Sequence, residues 1–140
     1  MLWQFRRELI QMLLENNEVI LAMPFVGHEK DFENIGCKCI EIKMERGSIN
    51  PFVDYSLYRS YVNLLKLEKP DKVITYSIKP NIYGGYACSK LGIQYYANVQ
   101  GLGTAFQRKI INKIVTLMYK VSLKKVSTFF LKTTLMLMNF

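Results

Sequence analysis

The sequence predicts an α/β fold built on a doubly wound, mostly parallel sheet. Short β-branched or aromatic runs alternate along the chain with patterns of helical spacing, in the order α β α β α β α β α β. Residues 72–99 give the clearest case, because a strand run (KVITY), a turn (SIKPN), a helix pattern (IYGGYACSKLG) and a second strand run (QYYANV) follow one another. Parallel strands joined by a helix form a βαβ unit, which is typical of a parallel sheet.

The composition is that of a folded domain. The chain has 140 residues, of which 50% are hydrophobic and 21% charged, so it can bury one core and disorder is not expected. No run reaches the roughly 18 uninterrupted apolar residues of a membrane-spanning helix. The first residues, MLWQFRREL, lack the order of a secretory signal, so a cytoplasmic chain is expected.

The first part of the chain predicts two helices and two strands. Helical spacing covers residues 3–16, and a strand run follows at 18–25. A short polar helix is expected at 27–36, ending at Gly36, and a strand at 37–43. Doubly wound sheets usually begin with a central strand, so a chain that opens on a helix is expected to lack that strand.

The second part predicts a long helix, the βαβ unit, a basic helix and a last strand. Asn50 and Pro51 supply a start signal for a helix over 52–69. After the βαβ unit, residues 108–125 (RKIINKIVTLMYKVSLKK) show helical spacing, and 126–130 (VSTFF) form a strand-like run. An apolar tail ends the chain.

The three cysteines do not indicate a disulfide framework, because their number is odd and they lie in strand or helix patterns. The spacing of Cys37 and Cys39 would put both sulfurs on one face of a strand, which suits either a metal ion or a buried face. Since no histidine or further cysteine pair is near, we interpret them as small buried side chains. We predict no metal site and no cofactor. His28, the single histidine, has no evident triad partners in the sequence, so no catalytic residue is predicted.

The first loop of the βαβ unit carries residues suited to an anion. Pro80 fixes the backbone, Asn81 can cap the next helix, and Lys79 supplies a positive charge beside that helix. Open α/β sheets bind ligands at the carboxyl ends of their strands, where this loop lies. A phosphate-binding loop is one hypothesis, and a well-capped connection with a solvated lysine is the other.

The second loop, QGLGTAF, has two glycines directly after a strand. Gly101 and Gly103 would let a ligand approach the backbone closely. A dinucleotide fingerprint requires a third glycine, but Phe106 occupies that position, and the loop follows a late strand rather than the first. The sequence therefore does not predict a dinucleotide site.

The positive charge of the chain is concentrated near its end. The net charge is +8, and residues 108–132 contain seven Lys or Arg and no Asp or Glu. Four lysines of the basic helix fall along one side, opposite its apolar side chains: Lys109, Lys113, Lys120 and Lys124. Such a helix can lie on an anionic membrane or can be an ordinary surface helix, and the net charge favours the membrane. Nucleic acid is not expected as a partner, because only Tyr119 could stack on bases.

Three segments together resemble a known family. They are FRRELIQMLLENNEVILA, ERGSINPFVDYSLYRSYVNLLKLEKPD and PDKVITYSIKPNIYGGYACSKLGIQYYANVQGLGTAF. They resemble the N-terminal, acceptor-side domain of bacterial family 4 glycosyltransferases of the GT-B fold, especially those that build capsule, exopolysaccharide or O-antigen units. The resemblance covers roughly residues 4–130 and implies an incomplete Rossmann-like domain over 1–131, followed by an unrelated tail over 132–140.

The resemblance implies retaining transfer of a sugar from a nucleotide-sugar to a lipid-linked saccharide acceptor at the inner face of the plasma membrane. It implies that one set of residues contacts the substrate: Arg46, Ser77, Lys79, Asn81, Gln100, Gly101 and Gly103. The first strand and the donor-binding domain of the family have no counterpart in this sequence. The chain alone is therefore expected to be inactive, and either a separately encoded donor-binding domain is its partner or the chain is left over from a broken gene. The alternatives are a non-catalytic module that binds an anionic lipid or polysaccharide intermediate, and a basic nucleic-acid-binding protein.

Overall fold

The computed structural model describes residues 2–44, 50–100 and 128–132. The chain divides into two compact units, Met1–Glu45 and Arg46–Phe140. Within the described residues, no helix is both long enough and apolar enough to cross a membrane.

The first unit contains two helices and a two-stranded parallel sheet. Its elements are α1 (Leu2–Leu14), β1 (Ile20–Met23), α2 (Glu29–Asn34) and β2 (Lys38–Glu41). β1 and β2 pair in parallel along all four residues of each strand. All four elements were predicted from the sequence, although each is shorter than its predicted range. Helix and strand ends are set by caps and pairing partners, which a hydrophobic pattern does not specify.

The core of the first unit is a small cluster of apolar side chains contributed by the helices, β1 and the residue before β2. Its fully packed members are Ile10, Met23, Phe32 and Cys37, and Phe32 is only 1% exposed. Cys39 packs against the same cluster, which agrees with the interpretation of the two sulfurs as small buried side chains. Burial raises the pKa of the Cys37 and Cys39 thiols, because it disfavours the charged thiolate.

The second unit consists of helices and a three-stranded parallel sheet. Its elements are α3 (Pro51–Glu68), β3 (Lys72–Tyr76), a π-helical turn (Pro80–Gly84), α4 (Gly85–Leu91), β4 (Gln94–Gln100) and β5 (Thr128–Lys132). The strand order is β3-β4-β5, and both strand pairs are parallel. The predicted βαβ unit is therefore confirmed, and the final strand forms two residues later than its predicted range of 126–130. The chain belongs to the α/β class with parallel strands in two small sheets, and a single doubly wound sheet stays a prediction.

Helix α3 spans Pro51–Glu68, one residue earlier at each end than the predicted range of 52–69. The Asn50 side chain accepts a hydrogen bond from the Phe52 backbone N–H at 3.0 Å, with Pro51 in the first turn. At the other end, Lys69 adopts a left-handed conformation with φ 46° and donates its N–H to the Leu65 carbonyl. The buried face of α3 includes Tyr61, whose pKa burial raises to about 12.

The other sequence predictions fall on residues outside this description. These are the basic helix over 108–125 and nearly all of the tail over 132–140. A domain over 1–131 likewise stays a prediction.

Candidate functional site

The connection after β3 is held in an unusual backbone conformation. Ser77 follows the strand with φ +79°, a left-handed conformation that residues other than glycine rarely adopt. The Ser77 carbonyl accepts a hydrogen bond from the Asn81 backbone N–H at 3.0 Å, which closes the first turn of the following helix. The chain thus turns sharply at the carboxyl end of β3, the position where parallel sheets usually bind ligands.

Asn81 lies inside the π-helical turn and does not cap a helix. No side-chain cap is present at the start of either the π-helical turn or α4, so the predicted capping role of Asn81 is wrong. Its side chain is 0% exposed. Asn81 Oδ1 accepts a hydrogen bond from the Thr75 hydroxyl at 2.6 Å, and Asn81 Nδ2 donates to the Asn98 carbonyl at 3.1 Å. The amide therefore joins the π-helical turn to both neighbouring strands.

The Tyr95 hydroxyl completes this buried network. It donates to the Asn81 carbonyl at 2.7 Å and lies 2.8 Å from the Thr75 hydroxyl oxygen. Three short oxygen–oxygen contacts thus share the two hydroxyl protons of Thr75 and Tyr95. With both protons donated to Asn81, the contact between the two hydroxyl oxygens carries no hydrogen bond of its own. The two donated hydrogen bonds still tie the connection to β3 and β4.

Asn98 contributes one unsatisfied group to the same region. Its Oδ1 is buried and has no hydrogen-bond partner among the described residues. Leaving a buried acceptor unpaired costs about 1–3 kcal/mol. The structure offers no compensating contact for this atom within the described part of the chain.

Gly84 allows the π-helical turn to approach β3 closely. A Cβ at this position would lie 3.1 Å from Thr75 Cγ2, closer than ordinary van der Waals contact. We expect Gly84→Ala to lower the free energy of unfolding by about 1–3 kcal/mol, because the methyl group would displace Thr75 from its hydrogen bonds.

The Gly84→Ala effect can be tested by a double-mutant cycle with Thr75→Ser, which removes Cγ2 and keeps the hydroxyl. The cost of Gly84→Ala should fall by about 1 kcal/mol in the Thr75→Ser background, as measured by urea denaturation. An equal cost in both backgrounds would show that the Thr75 methyl is not the obstacle.

A second polar cluster surrounds Lys79. Its Nζ donates to Asp54 Oδ1 at 2.7 Å, and the Tyr83 hydroxyl donates to Asp54 Oδ2 at 2.9 Å. The side chains of Lys79 and Asp54 are only 14% and 15% exposed. Burial, together with the hydrogen bond to Asp54 and its charge, raises the pKa of Tyr83 far above its usual value. Tyr83 therefore stays a protonated donor at neutral pH, and Lys79 is paired rather than solvated.

The structure also locates the other reactive groups. His28 Nδ1 lies 2.9 Å from Asp31 Oδ2, a partner three residues along the chain that the sequence prediction missed. Cys88 is fully buried, and burial raises the pKa of its thiol to about 12, so it is not a thiolate nucleophile at neutral pH. In the described part of the chain, His, Cys, Asp and Glu side chains form no group of three that could hold a metal ion.

The predicted substrate-contacting residues are only partly covered by the structure. Ser77, Lys79 and Asn81 lie together on the connection after β3. Gln100 is the last residue of β4, and its side chain is not described. The remaining candidates lie outside the described residues: Arg46, Gly101, Gly103, Lys109, Lys113, Lys120 and Lys124. Their predicted roles stay predictions. Asp54 was missed, because it lies 25 residues before Lys79 and resembles an ordinary acid in the first turn of a helix.

The fold and the connection after β3 define an α/β protein with a polar loop at the carboxyl ends of parallel strands. No family model matches the chain. The chain is similar to an enzyme of Campylobacter jejuni named N,N'-diacetylbacillosaminyl-diphospho-undecaprenol alpha-1,3-N-acetylgalactosaminyltransferase. The two are 27% identical over 130 residues, which cover 88% of this chain and 35% of that enzyme. The chain thus spans about a third of the length of this curated relative, and the similarity supports a relationship to glycosyltransferases.

Proposed function

We propose that the chain is the acceptor-side part of a bacterial glycosyltransferase of family 4 and the GT-B fold, acting in surface polysaccharide synthesis. The observation that carries the proposal is the similarity, over 88% of the chain, to a glycosyltransferase whose name gives its acceptor as a saccharide linked through diphosphate to undecaprenol. The acceptor of this chain is then a lipid-linked saccharide. Fold alone would not support this proposal, since α/β folds host many functions.

The geometry of the second unit supports a ligand site at this edge of the sheet. Tyr76, the last residue of β3, is paired with Asn98, two residues before the end of β4, so the strands that precede the two predicted substrate loops end at one edge of the sheet. The first of these loops holds Ser77 and Lys79, and the buried Asn81 network fixes it in place. Preorganised polar groups of this kind can bind a saccharide or phosphate without a large ordering cost.

The pairing of Lys79 with Asp54 is compatible with phosphate binding. An ammonium group has three N–H donors, so one can bind Asp54 while another binds a phosphate oxygen. Asp54 is in turn held by the Tyr83 hydroxyl, which fixes where the lysine points. Lys79 would therefore meet the diphosphate of the acceptor in a set orientation.

Replacing Lys79 by Gln tests this site. We expect binding of a short-chain prenyl-diphosphate-linked N-acetylhexosamine to weaken about tenfold or more, because a charge-assisted hydrogen bond is lost. Isothermal titration calorimetry without membranes would measure the affinity. Lys90→Gln is the matched control, since Lys90 is exposed in the last turn of α4. Equal affinities of the two variants would remove Lys79 from the proposed site.

The same proposal assigns donor binding to a domain outside these residues, as the family resemblance implies. The chain would lie at the inner face of the plasma membrane, held there by Lys109, Lys113, Lys120 and Lys124. If the chain binds the acceptor but no donor domain restores sugar transfer, the alternative of a non-catalytic module for a lipid or polysaccharide intermediate is favoured.

A further inference from the structure

The outward side of α3 carries an unusual set of exposed side chains. Three are large and apolar, with Phe52 84% exposed, Tyr55 61% exposed and Leu67 78% exposed. Two are basic and exposed, Arg59 and Lys66. At about 100° per residue these five fall within roughly a third of the helix circumference, along a helix about 27 Å long. We call this set the α3 outer face.

The charge on α3 is separated between its two sides. Its two acids are Asp54 and Glu68. Asp54 is only 15% exposed and is bound by Lys79 and Tyr83 on the inner side, while Glu68 is partly buried. The α3 outer face therefore carries two positive charges and none of the carboxylates of the helix. This separation complements an anionic surface.

The combination of aromatic and basic side chains favours a lipid bilayer over other anionic surfaces. Aromatic side chains lie favourably at the boundary between headgroups and acyl chains, while Arg and Lys reach the phosphate groups beside them. A helix with aromatic and basic residues on one exposed side can lie in the plane of an anionic bilayer. An acidic protein surface would match the charges, but it would also need an apolar pocket placed opposite Phe52, whereas a bilayer offers an apolar layer everywhere beneath its headgroups.

We propose that the α3 outer face docks on an anionic lipid bilayer, with Phe52 and Tyr55 at the headgroup boundary and Arg59 and Lys66 on lipid phosphates. This surface is distinct from the basic helix predicted over 108–125. The inference rests on the proposed function only for the expectation that the protein works beside lipid. The observations on α3 are independent of any acceptor.

The test is co-sedimentation of the full chain with vesicles that contain no acceptor saccharide. Vesicles of phosphatidylglycerol and phosphatidylcholine are compared with vesicles of phosphatidylcholine alone. The double variant Arg59→Gln/Lys66→Gln should bind the anionic vesicles about thirtyfold more weakly at low salt. Each basic residue near an anionic surface strengthens binding about fivefold, and two are removed. The double variant Phe52→Ser/Tyr55→Ser should also bind more weakly and should lose most of the binding that persists in high salt.

Lys30→Gln/Lys90→Gln is the matched control, because both lysines are exposed and the net charge changes equally. It should retain most of the binding. An equal loss in the control and in Arg59→Gln/Lys66→Gln would overturn the proposal, because the binding would then reflect net charge alone. Absence of vesicle binding by the parent chain would also overturn it. So would self-association that is abolished by Phe52→Ser/Tyr55→Ser, because a second copy would then be the occupant. Acceptor binding measured without membranes is unaffected by these outcomes, so the two proposals can fail separately.

Discussion

Replacing Asn81 by Asp is expected to lower the free energy of unfolding by about 3 kcal/mol or more at pH 7. The substitution keeps the shape of the side chain and the acceptor for the Thr75 hydroxyl. It removes the N–H that binds the Asn98 carbonyl and places a buried negative charge 3.1 Å from that oxygen. All nine tyrosines of the chain lie in the second unit. Tyrosine absorbance during urea denaturation would therefore report the loss.

The effect of Asn81→Asp should depend on pH in a definite direction. Burial raises the pKa of the new carboxyl above its value in the unfolded chain, about 3.9. The variant is then least impaired below pH 4, where the protonated carboxyl can donate to the Asn98 carbonyl, and its relative stability falls as the pH rises. Asn63→Asp, on the exposed side of α3, is the control. A loss of the same size in both variants, or one that grows on acidification, would contradict the buried network.

Replacing Phe32 by Ala should have the largest effect in the first unit, a loss of about 3–5 kcal/mol. Phe32 is 1% exposed and is the largest side chain of the cluster that joins α1, β1 and α2. Trp3, the only tryptophan, lies on α1 in the same unit, so its fluorescence reports the transition. Phe52→Ala removes the same atoms from a side chain that is 84% exposed and should change stability by about 0.5 kcal/mol at most. Equal losses in the two variants would show that the cluster is not a core.

Much of the local structure could be predicted from the sequence, because it depends on local signals. The Asn50 side chain accepts a hydrogen bond from the Phe52 N–H, and Pro51 lies in the first turn. Neighbouring residues therefore define the start of α3. The strand runs on either side of the small-residue helix pattern gave the βαβ unit, since parallel strands require a crossover of this length. The alternation of short strand runs with helical patterns was thus enough to predict the α/β class.

Most of the contacts that build the candidate site could not be predicted in this way, because they join residues 14 to 29 positions apart in the chain. The Asp54 partner of Lys79 lies on α3, 25 residues earlier. Asn81 was expected to cap a helix, because asparagine often does. The neighbouring residues do not show that its amide instead bonds to the Thr75 hydroxyl and the Asn98 carbonyl. The tertiary hydrogen bonds of Asn81 thus replaced the helix-capping role that asparagine commonly has.

The left-handed backbone conformation of Ser77 lowers the stability of the loop after β3. Glycine would adopt a φ of +79° without strain, whereas for serine this conformation costs on the order of 1 kcal/mol. A sequence chosen for stability alone would place glycine here. Natural proteins need only enough stability to function, and they tolerate such losses where a side chain is useful. Ser77→Gly would relieve this strain, but it would also remove a hydroxyl that belongs to the proposed acceptor site.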